Sequence, residues 1–138
     1  MIFYFDSSVV VRIILGEPNT LADWDGLPVL IASRLVRLES LRTLDRYRLL
    51  GELSEKELIE CRRRCSQIFK HMTFLPISER VCQRAEASFP SIIKSLDSIH
   101  LATSLLWRET RGEDIVFATH DLHLSRAASL QGLEVIGV

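Results

Sequence analysis

Short apolar runs alternate along this chain with segments of helical period, and that alternation constrains the fold more than any other feature. The runs lie at residues 2–5, 27–32, 74–77, 115–118 and 134–138. The first, Ile2-Phe3-Tyr4-Phe5, is too brief for a helix and rich in strand formers. Such a run reads as a strand buried on both faces, as in a parallel sheet. Strands separated by helices throughout predict a three-layer α/β/α sandwich around a central, mainly parallel sheet.

The helical segments carry their own punctuation. Ser7 and Ser8 suit a helix start, with Val9, Val10, Val11, Ile13, Ile14 and Leu15 to supply its packing face. A short helix is expected around Leu21 to Trp24. Ser33 caps a long helix that Gly51 stops after about Leu50. Ser54 and Glu57 stand at capping-box spacing, and Leu58, Cys61, Cys65, Ile68 and Met72 form the stripe behind them. Its other face carries Arg62, Arg63 and Arg64, which read as a solvated face or as contacts for phosphates or acidic groups. Ser78 opens a helix through Val81, Cys82 and Ala85 that Phe89-Pro90 breaks. In the next helix Ile99, Ala102, Leu105 and Leu106 share one side, and a last helix covers 122–130.

With 138 residues the chain has the size of one domain, and 47% hydrophobic with 25% charged residues is a globular balance. A net charge of -1 provides no global basic field for nucleic acid, though a local patch suffices. Three cysteines, without a C-x-x-C pair, leave one over in any disulfide scheme and suit a reducing compartment. No apolar run approaches the roughly 18 residues of a membrane span, and no signal peptide is visible.

Four acids stand at informative places. Asp6 ends the first strand where the chain enters a helix, beyond the carboxyl end, where open α/β sheets bind ligands. It suits both that role and simple helix capping. Glu39 lies inside the long helix, bordered by Leu35 and Val36, so it needs a satisfying partner. A salt bridge to Arg42, or Thr43 beside it, is the plain alternative. Asp97 stands in the first turn of its helix, where the helix dipole tolerates negative charge. His100, one turn on, reads as a polar partner rather than a metal ligand. Asp121 follows the fourth strand in Thr119-His120-Asp121, repeating the opening strand–acid–helix arrangement. If the four converge, their repulsion demands protonation or a cation. An all-oxygen cluster suits Mg²⁺ or Mn²⁺, whose natural chemistry with a phosphodiester is hydrolysis.

The motifs around these acids, F-Y-F-D-S-S, S-R-L-V-R-L-E-S, L-D-S-I-H-L-A-T-S and T-H-D-L-H-L-S-R-A-A-S-L-Q-G-L, occur in order over essentially the whole chain. In this the sequence resembles the PIN-domain nucleases, and among them the toxin components of VapBC toxin–antitoxin systems. The resemblance implies a single PIN-like nuclease domain over residues 1–138 and a Mg²⁺- or Mn²⁺-dependent endoribonuclease. Asp6, Glu39, Asp97 and Asp121 would be its catalytic and metal-holding residues, with Ser8 and Thr119 as supporting hydroxyls. It further implies an RNA substrate, a homodimer, a cytoplasmic protein and a VapB-like antitoxin that inserts a peptide near the site. Ser104 departs from the frequent Ala, and His120 and His123 flank the fourth acid.

Rival readings fit less well. An aspartyl phosphatase wants a second Asp two residues after the first, where this chain has Ser8. A dinucleotide-binding domain wants a Gly-rich first turn, and D-S-S-V-V has none. The remaining alternative is a catalytically idle PIN-like module that only binds protein or RNA. The filled acidic positions argue against it.

Overall fold

A computed structural model describes residues 1–21 and 23–138. Its sheet is made of β1 (Ile2–Phe5), β2 (Val29–Ser33), β3 (Thr73–Leu75), β4 (Ile115–Ala118) and β5 (Glu134–Ile136). The strand order is β3-β2-β1-β4-β5, and all four pairings are parallel. The helices are α1 (Ser7–Leu15), α2 (Arg34–Leu49), α3 (Glu55–His71), α4 (Glu79–Glu86), α5 (Ser95–Arg111) and α6 (Leu122–Leu130).

Alternation along β1 sorts the core into two layers. Phe5 enters a cluster with Val9, Val10 and Ile14 of α1, Val36 of α2 and Cys61, Cys65 and Ile68 of α3. Ile2 and Tyr4 enter the other, with Leu101 and Leu105 of α5, Phe117 of β4 and Leu124 of α6. The expected sandwich is therefore present, with a wholly parallel sheet. No helix among the described residues is long and apolar enough to cross a membrane.

Element ends follow local chemistry. Ser33 caps α2 by accepting from Leu35 N at 3.1 Å. The Ser54–Glu57 capping box of α3 is closed in both directions, at 3.0 and 3.1 Å. β2 begins at Val29 rather than Leu27, because Pro28 brings no N–H to a ladder. β3 ends at Leu75 before Pro76, and it is an edge strand as the proline requires. β5 ends before Gly137, whose φ of +99° leaves the extended region. The expected short helix around Leu21 to Trp24 includes Ala22, which lies outside the described residues; a 3-10 turn occupies Trp24–Gly26.

Two side-chain expectations are refined. In α5, Leu101, Ala102 and Leu105 are buried together with His100, Thr103 and Ser104, while Ile99 and Leu106 are half-buried. The helix meets α4, β2, β4 and α6, so more than one face is covered. In α3, Arg62 and Arg63 are exposed as a solvated face, whereas Arg64 folds back to donate to the Ile14 carbonyl at 2.8 Å.

Sheet order sets where a ligand can sit. From β1 the chain moves to β2 and β3 on one side, then returns to β4 and β5 on the other. The crevice beyond the carboxyl ends of β1 and β4 is the switch point of the topology.

Candidate active site

Asp6 and Asp121 both issue from that switch point. Asp6 caps α1, accepting from Val9 N at 3.2 Å, so the capping role is real. It does not exhaust the carboxylate. Ser8 Oγ donates to Oδ1 and Thr119 Oγ1 to Oδ2, each at 2.6 Å. The side chain is only 3% exposed. Burial, the largest influence, pushes its carboxyl above the usual range, and the bonds from Ser8 and Thr119, nearby His100 and Val9 N offset that only in part.

The two hydroxyls are themselves anchored. Ser8 Oγ accepts from His120 N at 2.8 Å, and Thr119 Oγ1 accepts from Asp121 N at 3.0 Å. They therefore tie the end of β1 to the loop after β4. Asp121 caps α6 by accepting from Leu124 N at 2.9 Å.

Glu39 is not bridged to Arg42, which pairs with Asp45 at 3.0 Å. It finds its partners across the layers instead: Ser7 Oγ donates to Oε1 at 2.5 Å, and His100 Nε2 lies 2.7 Å from the same oxygen. Burial pushes Glu39 up, but the hydrogen bonds from His100 and Ser7 outweigh it, and its carboxyl sits below the usual range. His100 is thus a polar partner, as its sequence position indicates.

Asp97 lies in the first turn of α5, half-buried, with no side-chain hydrogen bond among the described residues. Its carboxyl is raised, first by burial, then by the charge of Asp121; His100 opposes this, while Asp6 and Glu39 add to it. All three other acids therefore act on Asp97. Asp97 and Asp121 line one cavity of about 140 Å³, with Ile92, Ile93, Lys94 and His123.

The acids share a field without forming a chelate. Among the described residues, no three His, Cys, Asp or Glu side chains stand close enough to hold one ion directly. That arrangement fits a hard ion that keeps most of its waters and takes one or two carboxylates, as Mg²⁺ does. It does not fit a closed cage. His120 is turned away, donating from Nδ1 to the Gly137 carbonyl at 2.6 Å.

A larger cavity, about 640 Å³, lies between α2 and α3, with Arg37, Arg42, Arg62 and Lys70 around Leu41 and Phe69. Arg37 and Leu41 point to the face of α2 opposite Glu39, and none of the four acids lines it. Chemistry, rather than size, selects the smaller site.

The sequence matches the PIN domain family over residues 3–130. The chain belongs to the PIN domain family. Its curated relatives include Ribonuclease VapC47 of Mycobacterium tuberculosis (strain CDC 1551 / Oshkosh), 30% identical over 129 residues, covering 88% of this chain and 85% of the relative. Ribonuclease VapC46 of Mycobacterium tuberculosis (strain ATCC 25618 / H37Rv) is 29% identical over 134 residues, covering 96% and 95%. The fold of this PIN domain is also that of VapBC2 from Rickettsia felis, solved bound to a DNA fragment from their promoter. The TM-score there is 0.65 at 13% identity, over 99% of this chain and 98% of that one. PAE2754 from Pyrobaculum aerophilum gives a TM-score of 0.63 at 16% identity, over 96% and 82%.

In this PIN domain, Tyr4, Ser7 and Lys94 join the predicted site residues. Tyr4 reads in sequence as one more strand former, and Ser7 as a cap. Only long-range packing, which brings α2 against α1 and α5 against the sheet, reveals their partners. Lys94, just before α5, had no sequence signal.

Proposed function

We propose that this PIN domain, taking in residues 1–138, is an endoribonuclease and the toxin of a VapBC-type pair, cleaving RNA phosphodiesters with Mg²⁺ or Mn²⁺. One observation carries the reading. Asp97 and Asp121 line one cavity at the switch point, and Thr119 ties the buried Asp6 to Asp121 there, so negative charge gathers that a divalent ion would relieve; the raised Asp97 carboxyl agrees with this. Two curated relatives named as ribonucleases support the same activity.

Asp6 and Asp97 would be the most direct holders of the ion, with Glu39 and Asp121 completing the pocket. When bound, such an ion supplies the charge that activates water and steadies the leaving oxygen. The chain's own contribution is placement. Ser8 and Thr119 fix both oxygens of Asp6, so that carboxylate cannot rotate. Ser7 and His100 occupy Oε1 of Glu39, which leaves Oε2 as the acceptor available to order a water. Asp97, free of protein hydrogen bonds among the described residues, keeps its lone pairs for the crevice.

A VapB-like antitoxin, a homodimer and a cytoplasmic site of action belong to the same reading. The deciding experiment compares wild type with Asp6→Asn and Asp97→Asn on an RNA oligonucleotide panel, with circular dichroism as the folding control. Both variants lose cleavage and keep their fold; wild-type rates in either end the mechanism. Expression without an antitoxin should arrest growth. Normal growth with folded, soluble protein would remove the toxin role and leave the nuclease standing.

A further inference from the structure

Behind the acids runs a chain of hydrogen bonds that cleavage chemistry does not itself require. Ser33 N donates to Tyr4 Oη at 3.2 Å. Tyr4 Oη lies 2.9 Å from His100 Nδ1, and His100 Nε2 lies 2.7 Å from Glu39 Oε1. Ser7 Oγ reaches the same Glu39 oxygen at 2.5 Å. Tyr4 is fully buried and His100 is 2% exposed. Ser33 caps the helix that carries Glu39, so the path leaves the start of α2, crosses β1 and α5, and returns to α2 six residues further on.

Donor and acceptor accounting gives this path one direction. A carboxylate only accepts, so His100 Nε2 carries the proton it donates to Glu39. Tyr4 Oη accepts from Ser33 N and has one proton to give, and His100 Nδ1, 2.9 Å away, is the acceptor we assign to it. Every buried polar atom on the path is then satisfied, which is the condition for such a network to rigidify its surroundings.

We infer that Tyr4 and His100 are positioning residues for the reaction: they lock the Nε2–H form of the imidazole and clamp Glu39 so that Oε2 faces the acidic crevice. This rests on the nuclease reading above. Neither residue touches substrate. Their position explains why polar atoms persist at the heart of an apolar layer. Tyr4 stands two residues before Asp6, and His100 three after Asp97, so one network sets the relative placement of three acids. Misplacement of a catalytic group by about 1 Å can cost on the order of 100-fold in rate.

The test uses three variants of the full chain. Tyr4→Phe removes only the hydroxyl and keeps the ring that stacks on Phe117 at 5.0 Å. His100→Gln places an amide N–H near the position of Nε2, where it can donate to Glu39; His100→Asn reaches only the position of Nδ1. Cleavage of a single-stranded RNA oligonucleotide should show kcat lowered about 10-fold or more in Tyr4→Phe with KM unchanged. His100→Gln should retain several-fold more kcat than His100→Asn at matched melting temperature. Nitrogen-15 NMR of the wild-type imidazole should show a proton on Nε2 and a hydrogen bond accepted at Nδ1, and Tyr4→Phe should lose the Nδ1 hydrogen-bond signature while keeping the Nε2 proton. Equal kcat in Tyr4→Phe and wild type, or equal loss in the two His100 variants, overturns the inference. Asp97→Asn serves as the separate control: if it still cuts RNA, the nuclease reading falls, whereas a dead Asp97→Asn beside a fully active Tyr4→Phe removes only the positioning role. The NMR arm is read whether or not RNA is cut.

Discussion

Thr119 Oγ1 donates to Asp6 Oδ2 at 2.6 Å, joining the loop after β4 to the end of β1 across 113 residues of sequence. The same hydroxyl accepts from Asp121 N at 3.0 Å, so one buried atom serves two of the four acids. Thr119→Val keeps the shape and removes both bonds. It leaves a buried carboxylate oxygen and a backbone N–H short of partners, at a cost of about 1–3 kcal/mol. Chemical denaturation should show that loss, together with slower RNA cleavage, while Thr119→Ser retains most of both. A Val variant as stable and as active as wild type would refute the clamp.

The raised acids give the ion-free protein a definite pH response. A carboxyl raised in the folded state binds its proton more tightly there than in the unfolded chain. Its contribution to stability is fully present below the ordinary carboxylate value and is lost as pH rises through the raised one. Asp97 and Asp6 are of this kind. Glu39 is lowered, so its contribution is present above the ordinary value and is lost as pH falls through the lowered one. Asp97→Asn should therefore melt above wild type at pH 7 in chelator, and the gap should close toward about pH 4, near the ordinary value. A gap that stays constant with pH would contradict the shift.

An ion that binds only the folded protein adds stability by mass action, about 2.7 kcal/mol at 100 times its dissociation constant. Titration with Mn²⁺ should raise the wild-type melting temperature, and EDTA should reverse the rise and stop cleavage. Asp97→Asn should show a smaller rise at the same concentration. A melt unmoved by either Mn²⁺ or Mg²⁺ would favour the idle-module reading.

Much of this was legible in the chain because local rules and global fold agree. The apolar run before Asp6, the Ser33 cap before the helix of Glu39 and the Ser54 capping box are local signals, and the elements form where they point. Prolines shifted two boundaries: Pro28 delays β2 and Pro76 ends β3. The acids could be named from motif order, but their partners could not. Glu39 looked outward to Arg42 by helical spacing, yet it turns to Ser7 and His100, which reach it only when α1 and α5 pack against the sheet. Tyr4 was hidden for the opposite reason. As a strand former among apolar residues, its hydroxyl gave no sign of the donor and acceptor it meets in the core.

Gly137 holds a position that no other residue fits. Its φ is +99°, and a Cβ there would lie 2.6 Å from the Thr119 carbonyl oxygen. Gly137→Ala combines backbone strain of about 1–3 kcal/mol with that clash. Because the displaced residue is Thr119, the expected result is a lower denaturation midpoint together with slower cleavage. Loss of stability with an unaltered rate would show that β5 moves instead, leaving the Asp6 clamp intact.

Asp121 has a structural task and a proposed chemical one, and a single substitution separates them. Its Oδ1 caps α6 at Leu124 N, 2.9 Å away. Asn caps a helix about as well as Asp, whereas Ala loses about 1 kcal/mol. Asp121→Asn should therefore keep the cap and melt no lower than wild type, and above it at pH 7 in chelator, because it removes the charge that raises Asp97. Losing an outer partner of a metal site typically costs 10- to 100-fold in affinity or activity, and cleavage should fall by roughly that factor. Asp121→Ala should lose stability as well. If Asp121→Asn cleaves at the wild-type rate while Asp121→Ala only destabilises, capping accounts for the residue in full, and the working set of acids shrinks to Asp6, Glu39 and Asp97.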